Sequence, residues 1–211
     1  MSAKYDYISD PQEIMRASFA LIEQEADLSR VPGDLHAVAC RIAHALGYVA
    51  VVDDLVWSGD VAGAARGALG GGAPILVDAE MVAKGIIRNR LPAENDVLCT
   101  LKLSGVAGAA RRQGLTRSVA ALDFWEPWIG GAVVAIGNAP TALYRLLERL
   151  DESWPAPAAI LAFPVGFIGA AESKQALIDR GLDVPFLTLT GRHGGSAVAA
   201  AAVNALARTM P

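Results

Sequence analysis

The sequence predicts an α/β fold, three layers deep, in which a mostly parallel sheet is flanked by helices on both faces. Three observations carry that prediction. First, the C-terminal part of the 211-residue chain repeats one pattern three times: an apolar strand, a turn bearing glycine or proline, and a helix. The units are GAVVAIG, Asn138-Ala139-Pro140-Thr141 and ALYRLLERL; then PAAILAFPVGFIG and AAESKQALIDRG; then VPFLTLT, Gly191-Arg192-His193-Gly194-Gly195-Ser196 and AVAAAAVNALAR. Strands that alternate with helices build parallel sheets through right-handed crossovers. Second, these strands are almost continuously apolar, as strands buried on both faces are. Third, 53% of the residues are hydrophobic and 19% charged, which is enough apolar material for one sizeable core in a single domain over residues 1–211.

The elements follow in order. Asp10-Pro11 marks a helix start, an N-cap followed by proline at the first helical position, and that helix is expected to run to about Asp27. Ile14, Ala17 and Leu21 form one usable face, and Met15, Ser18 and Ile22 another. DLHAVACRIAHALG reads as a second helix, capped by Asp34 and ended by Gly47. Leu35, Val38, Ala39, Ile42 and Leu46 share its buried face. His44 falls roughly 180° from Leu35, beside Ala37, Cys40 and Arg41. A solvated back face normally carries Lys and Glu. This one carries small residues, one Arg and one His, so a ligand or another subunit can approach it closely. The alternative is an ordinary helix packed on both sides.

Val49 to Trp57 is expected to form a strand over its second half. Ser58 to Gly70 is a small-residue helix with Ser58 as its cap, ended by Gly70-Gly71-Gly72. PILVD is a strand, closed by Asp78, which can also cap the short helix AEMVAKG. Residues 96–100 form a short strand and residues 106–113 a short helix. Thr116 is a good N-cap and places Arg117 in the first turn of the next helix. A cation there opposes the helix dipole, so Arg117 either turns to solvent or holds an anion.

Composition removes several classes of function. No apolar run reaches the roughly 18 residues a spanning helix needs, and the N-terminus MSAKYDYISDPQ lacks an apolar signal core; a cytoplasmic protein with no membrane contact is expected. The formal net charge is −4 and no basic run occurs, which argues against a nucleic-acid partner. Cys40 and Cys99 suggest neither a disulfide framework nor a metal site. His36, His44 and His193 have no ligand spacing with Cys or Glu. Walker A and GxGxxG sequences are both missing.

Ligands of such sheets bind where the strand C-termini share an edge. Three helix N-termini point at that edge, each with free N–H groups and partial positive charge, so together they suit a ligand with several negative groups. Asn138, Thr141, Lys174, Arg192 and Ser196 lie at these turns and can add donors. On the other reading, Gly137, Gly191 and Gly194 merely make tight turns.

Seven segments, YDYISDPQEIMRASFALIEQEADL, RIAHALG, GAPILVDAEMVAKGI, GLTRSVAAL, VVAIGNAPTAL, FPVGFIGAAESKQAL and GRHGGSA, together resemble the precorrin-8X methylmutase family and its cobalt-precorrin-8 counterpart, of corrin-ring (vitamin B12) biosynthesis. The resemblance covers nearly the whole chain. It implies a Rossmann-like sheet, a homodimer and no cofactor. It also implies an isomerase that moves one methyl group from carbon 11 to carbon 12 of a precorrin macrocycle, giving hydrogenobyrinic acid. By resemblance, His44 matches the proposed catalytic histidine, Arg117 a substrate-contacting arginine, and Ser18, within RASFA, a position at the substrate pocket. The macrocycle's acetate and propionate carboxylates would suit the three helix N-termini. Gly137, Asn138, Thr141, Lys174, Gly194, Gly195 and Ser196 are therefore expected to bind precorrin-8X or cobalt-precorrin-8. Met15 stands where some members have Tyr, and MVAKGIIRNR is less similar. A corrinoid carrier that holds the ring without reacting is the alternative function. A phosphate- or nucleotide-binding enzyme is a third, which the missing fingerprints disfavour.

Overall fold

The computed structural model describes Tyr5 and residues 7–207. Helix α1 (Pro11–Glu25) opens with Pro11 at its first position, and the Asp10 carboxylate accepts from the Glu13 N–H at 2.7 Å. Helix α2 (His36–Leu46) begins later than the sequence suggests. Asp34 lies in a 3₁₀ turn (Gly33–Leu35), and its carboxylate accepts no capping hydrogen bond. Gly47 ends α2 as expected, in the left-handed conformation at φ 61° that glycine adopts without strain. Residues Val49–Asp54 form a 3₁₀ turn, and strand β1 occupies only Leu55–Trp57, the second half of the valine-rich stretch.

Helix α3 (Val61–Gly70) is capped by Asp60, which accepts from the Gly63 N–H; Ser58 instead accepts from the Phe186 N–H and pins the end of the sheet. Strand β2 (Ile75–Val77) leads to helix α4 (Glu80–Gly85), and strand β3 (Val97–Leu98) is shorter than expected. Helices α5 (Val106–Gln113) and α6 (Arg117–Leu122) follow, the second capped by the Thr116 hydroxyl, which accepts from the Val119 N–H. The three repeated units then supply β4 (Val133–Ile136) and α7 (Pro140–Asp151), β5 (Ala159–Ala162) and α8 (Ala170–Asp179), and β6 (Phe186–Leu189) and α9 (Ser196–Leu206). Strand β5 stops well before the end of its apolar run, because Pro164 cannot donate to the sheet.

Six strands pair in the order β1-β6-β5-β4-β2-β3 among the described residues, all parallel except β1, which runs antiparallel to β6. Side chains alternate between two apolar layers. Ile75, Val77, Val133, Ala135, Leu161 and Leu187 pack toward α2, α3, α4 and α9. Leu76, Val134, Ile136, Ile160 and Phe186 pack toward α7 and α8. Both layers exclude water, which is why the strands carry no polar alternation.

The alanine-rich α9 runs close to its neighbours because small side chains permit it. A Cβ on Gly85 would stand 2.7 Å from the Ala200 Cβ, and one on Gly137 would stand 2.8 Å from the Ala199 Cβ. On the opposite layer Asp123 takes Arg145 through two hydrogen bonds (2.8 and 3.1 Å) and Arg149 through a third, which clamps the end of α6 to α7.

Candidate active site

The parallel strands β2 to β6 send their C-terminal ends to one edge, so the turns before α4, α7, α8 and α9 gather there. The turn before α7 is already filled. Asp78, at the end of β2, accepts from the N–H groups of Gly137 (2.8 Å), Asn138 (2.9 Å) and Ala139 (2.7 Å). It therefore does not cap α4, whose N-cap is Ala79 with no side-chain bond. Burial pushes the Asp78 carboxyl above its ordinary value, and the three N–H groups pull against that. The backbone donors at Gly137 and Asn138 that the sequence offers to a ligand are thus spent on the protein's own carboxylate. Gly137 is enclosed as well, with the Ser196 Cα 2.9 Å from where its Cβ would be. The exposed Asn138 side chain remains at the edge.

The β6–α9 turn gives the same correction for two glycines. Gly194 is buried, and a Cβ there would lie 2.3 Å from the Phe163 carbonyl oxygen, while the Gly195 N–H donates to that oxygen at 2.8 Å. Close approach of two backbones accounts for this pair. Lys174 is also not a cleft residue. Its side chain is fully buried (0% exposed) and its Nζ donates to the His193 carbonyl at 2.5 Å. Burial pulls its pKa down to about 8. Ser196 opens α9 with its Oγ shielded from water and without a hydrogen-bond partner among the described residues.

His44 stands out in the other direction, exposed on α2 and held by two contacts. The Ser18 hydroxyl on α1 lies 3.0 Å from its Nδ1, and the Phe19 ring stacks on the imidazole with centroids 5.2 Å apart and planes at 19°. The Arg41 guanidinium lies 5.3 Å from the centre of the same Phe19 ring. When Ser18 donates to Nδ1, the neutral ring carries its proton on Nε2; when Ser18 accepts, the ring can be an imidazolium with both protons. In both states Nε2–H is available to a ligand. Cys40, expected beside His44 on the back face, is buried, because α2 packs on α9 as well as on α1. Burial raises both thiols, Cys99 to about 11, so neither is a thiolate nucleophile.

Arg117 is exposed, and its side chain makes no ion pair or hydrogen bond among the described residues. It sits at the start of α6, where the Thr116 hydroxyl lies 3.1 Å from that of Thr141 in the first turn of α7. Arg117 is thus fixed beside the sheet edge with its guanidinium unpaired. Between β5 and α8 the apolar side chains Val165, Phe167 and Ile168 are exposed at the same edge, with Arg192 over the Phe167 ring at 5.3 Å.

The structure therefore joins Ser18 to His44 directly, and Arg117 to Thr141 through Thr116. It turns Gly137, Gly194 and Lys174 inward. Sequence reasoning missed the anchoring role of Asp78, although an aspartate ending a buried strand next to a glycine turn is a readable signal. It also passed over Asp54 and Tyr48, whose proximity to His193 depends on long-range folding.

A family model described as precorrin-8X methylmutase matches residues 13–209. The chain is 55% identical over 202 residues to a precorrin-8X methylmutase of Pseudomonas aeruginosa, covering 96% of this chain and 97% of the relative. It is 54% identical to one from Sinorhizobium sp, covering 97% and 98%. A cobalt-precorrin-8 methylmutase of Priestia megaterium is 32% identical, covering 93% and 87%. Among solved structures, the precorrin-8X methylmutase of Thermus thermophilus superimposes with a TM-score of 0.84 at 34% identity, covering 93% of this chain and 94% of that one.

Proposed function

The chain belongs to the precorrin-8X methylmutase family, isomerases of cobalamin biosynthesis, and we propose that it moves the methyl group of precorrin-8X from carbon 11 to carbon 12 to give hydrogenobyrinic acid. The metal-free substrate is favoured over cobalt-precorrin-8 because the relatives at 55% and 54% identity carry the metal-free name, whereas the cobalt-named relative of Priestia megaterium stands at 32%. The step is an intramolecular 1,5-sigmatropic shift. Its atoms balance within the substrate, so the step needs no external methyl donor, oxidant or reductant.

The observation that carries this reading is the exposed His44, oriented by Ser18 and stacked on Phe19. As a general acid, His44 presents its Nε2 proton to the nitrogen region of ring C. Protonation there draws electrons from the macrocycle and favours migration, and the proton returns once the new bond is made. Carboxylates on the substrate favour the imidazolium. Such an acid supplies roughly 10²–10⁴-fold in rate, about 3–5 kcal/mol. Positioning within the site supplies more. Arg117 takes a substrate carboxylate, which accounts for a cation with no partner among the described residues in a chain of net charge −4. Thr141, Asn138 and Ser196 line the same edge. Attraction to the polyanion is therefore local and does not come from net charge. The enzyme works in the cytoplasm as one domain per subunit. It acts as a homodimer, using the apolar face that α1 leaves uncovered.

The test is a visible spectrum of native protein mixed with precorrin-8X, beside His44→Ala and Arg117→Ala. Migration makes a saturated ring carbon trigonal and extends conjugation, so turnover shifts absorption to longer wavelength with time. His44→Ala is expected to keep binding and lose turnover by roughly 10²–10⁴-fold, and Arg117→Ala to lose mainly binding. An immediate, static change in native protein and His44→Ala alike would instead mark a corrinoid carrier.

A further inference from the structure

A second imidazole stands at the sheet edge. His193 lies in the turn between β6 and α9, with its Nδ1 3.5 Å from an Asp54 carboxylate oxygen. The other Asp54 oxygen accepts from the Thr190 hydroxyl at 3.0 Å, and the Asp54 carbonyl accepts from the Thr190 N–H at 2.8 Å. Asp54 is therefore fixed to the end of β6. The backbone of His193 is fixed in turn by the buried Lys174, whose ammonium donates to its carbonyl. The Tyr48 ring lies 5.5 Å from the imidazole, tilted at 57°. Tyr48 immediately follows Gly47, so His193 sits by the C-terminal end of the helix that carries His44. Despite these restraints the His193 side chain is 53% exposed.

The charges around it are unbalanced. Asp54 lies beside His193 and acts on Lys174, Arg192 adjoins His193 in the chain with its guanidinium over the Phe167 ring, and Tyr48 adds a neutral phenol. Asp54 lies on the Nδ1 side of the ring, and Nε2 has no partner among the described residues. An exposed pair of this kind contributes little to stability, so stability gives little reason for an imidazole to stand here. An exposed imidazole at the ligand-binding edge suits an anion arriving from outside when its Nε2 carries a proton.

We propose that His193, oriented by Asp54 and anchored through its backbone by Lys174, is a substrate-positioning residue whose Nε2–H takes a second carboxylate of the tetrapyrrole. The proposal rests on the functional reading above and extends it. His44 acts at the ring, Arg117 grips one peripheral carboxylate from α6, and His193 grips another from the β6–α9 turn. Two anchors on separate elements define how the macrocycle is rotated over His44, which a single anchor does not.

The test compares His193→Leu and His193→Lys with native protein, in absorbance titrations with hydrogenobyrinic acid and in turnover of precorrin-8X. His193→Leu is expected to weaken product binding and raise KM about tenfold, the scale of one charge-assisted hydrogen bond, and to lower kcat by a smaller factor, because Arg117 alone no longer fixes the ring's rotation over His44. His193→Lys is expected to restore most of the affinity, because an ammonium also donates to a carboxylate. Variants that bind like native protein overturn the proposal. Equal losses in Leu and Lys also overturn it, since they would mean a packing role. Native protein that neither binds hydrogenobyrinic acid nor converts precorrin-8X overturns the functional reading and this proposal with it, an outcome distinct from normal binding by every variant.

Discussion

Lys174 shows how far a residue's role can depart from its sequence context. In the sequence it is a cation in the first turns of a helix at a ligand-binding edge. In the structure its ammonium is sealed under the β6–α9 turn and holds the His193 carbonyl. Burial disfavours the charged form and lowers its pKa from 10.5 to about 8, with Asp54 opposing the shift. Between those two values the unfolded chain binds more protons than the folded one, so the unfolding free energy rises with pH in that window. Thermal unfolding of native protein and Lys174→Met, compared from pH 7 to pH 10, is therefore expected to show the native form gaining relative to the variant. A pH-independent difference in Tm would count against a buried ammonium. His44 is the reverse case. Its exposure and back-face position were legible from periodicity, but its partners Ser18 and Phe19 come from another helix. No local pattern announces that pairing.

Between elements, the most informative contact is Asp78. It joins the end of β2 to the turn before α7, across the point where the strand order reverses. That crevice is where the fold leads one to expect a ligand, and here the chain supplies its own carboxylate. Asp78→Ala would leave three N–H groups unpaired in a buried setting, each costing about 1–3 kcal/mol unless water replaces the carboxylate. Chemical denaturation is expected to show a loss of roughly 3 kcal/mol or more, from three buried donors left unpaired at about 1–3 kcal/mol each. A loss under 1 kcal/mol would mean the turn is held by packing alone. Element boundaries that the sequence misplaced have similar causes. Asp34 and Ser58 look like caps, but Asp34 lies in a 3₁₀ turn and Ser58 bonds a strand residue 128 positions away. A side chain that can bond locally is also free to bond a distant group, and only the folded chain decides which wins.

Over the whole molecule, α1 is the element least accounted for by its own subunit. Only Ile22 on it is buried, while Ile14, Met15 and Leu21 are exposed, Leu21 to 54%. Isolated exposed apolar residues need no explanation, but a contiguous helical face does. We propose that this face is the contact of the homodimer suggested above. Leu21→Glu together with Ile14→Glu is expected to shift the protein to monomer in sedimentation velocity. Because Ser18 shares the helix with these residues, turnover should fall with dissociation. A dimer unaffected by the double substitution would place the contact elsewhere. No described helix is long and apolar enough to cross a membrane.

The sequence by itself determined the α/β class, the three strand–turn–helix units, the caps at Asp10 and Thr116, and the family, because apolar periodicity and turn chemistry are local properties. It also singled out His44 and Arg117, whose surroundings in the sequence are unusual for a solvated helix face and a helix start. Tertiary structure alone decided the antiparallel placement of β1, the filling of the Gly137 turn by Asp78, the burial of Lys174 and Gly194, and the meeting of His193 with Asp54 and Tyr48. Each of these depends on which distant group reaches a donor or a cavity first. That is settled by the packing of the sheet edge as a whole and leaves no trace in the spacing of neighbouring residues.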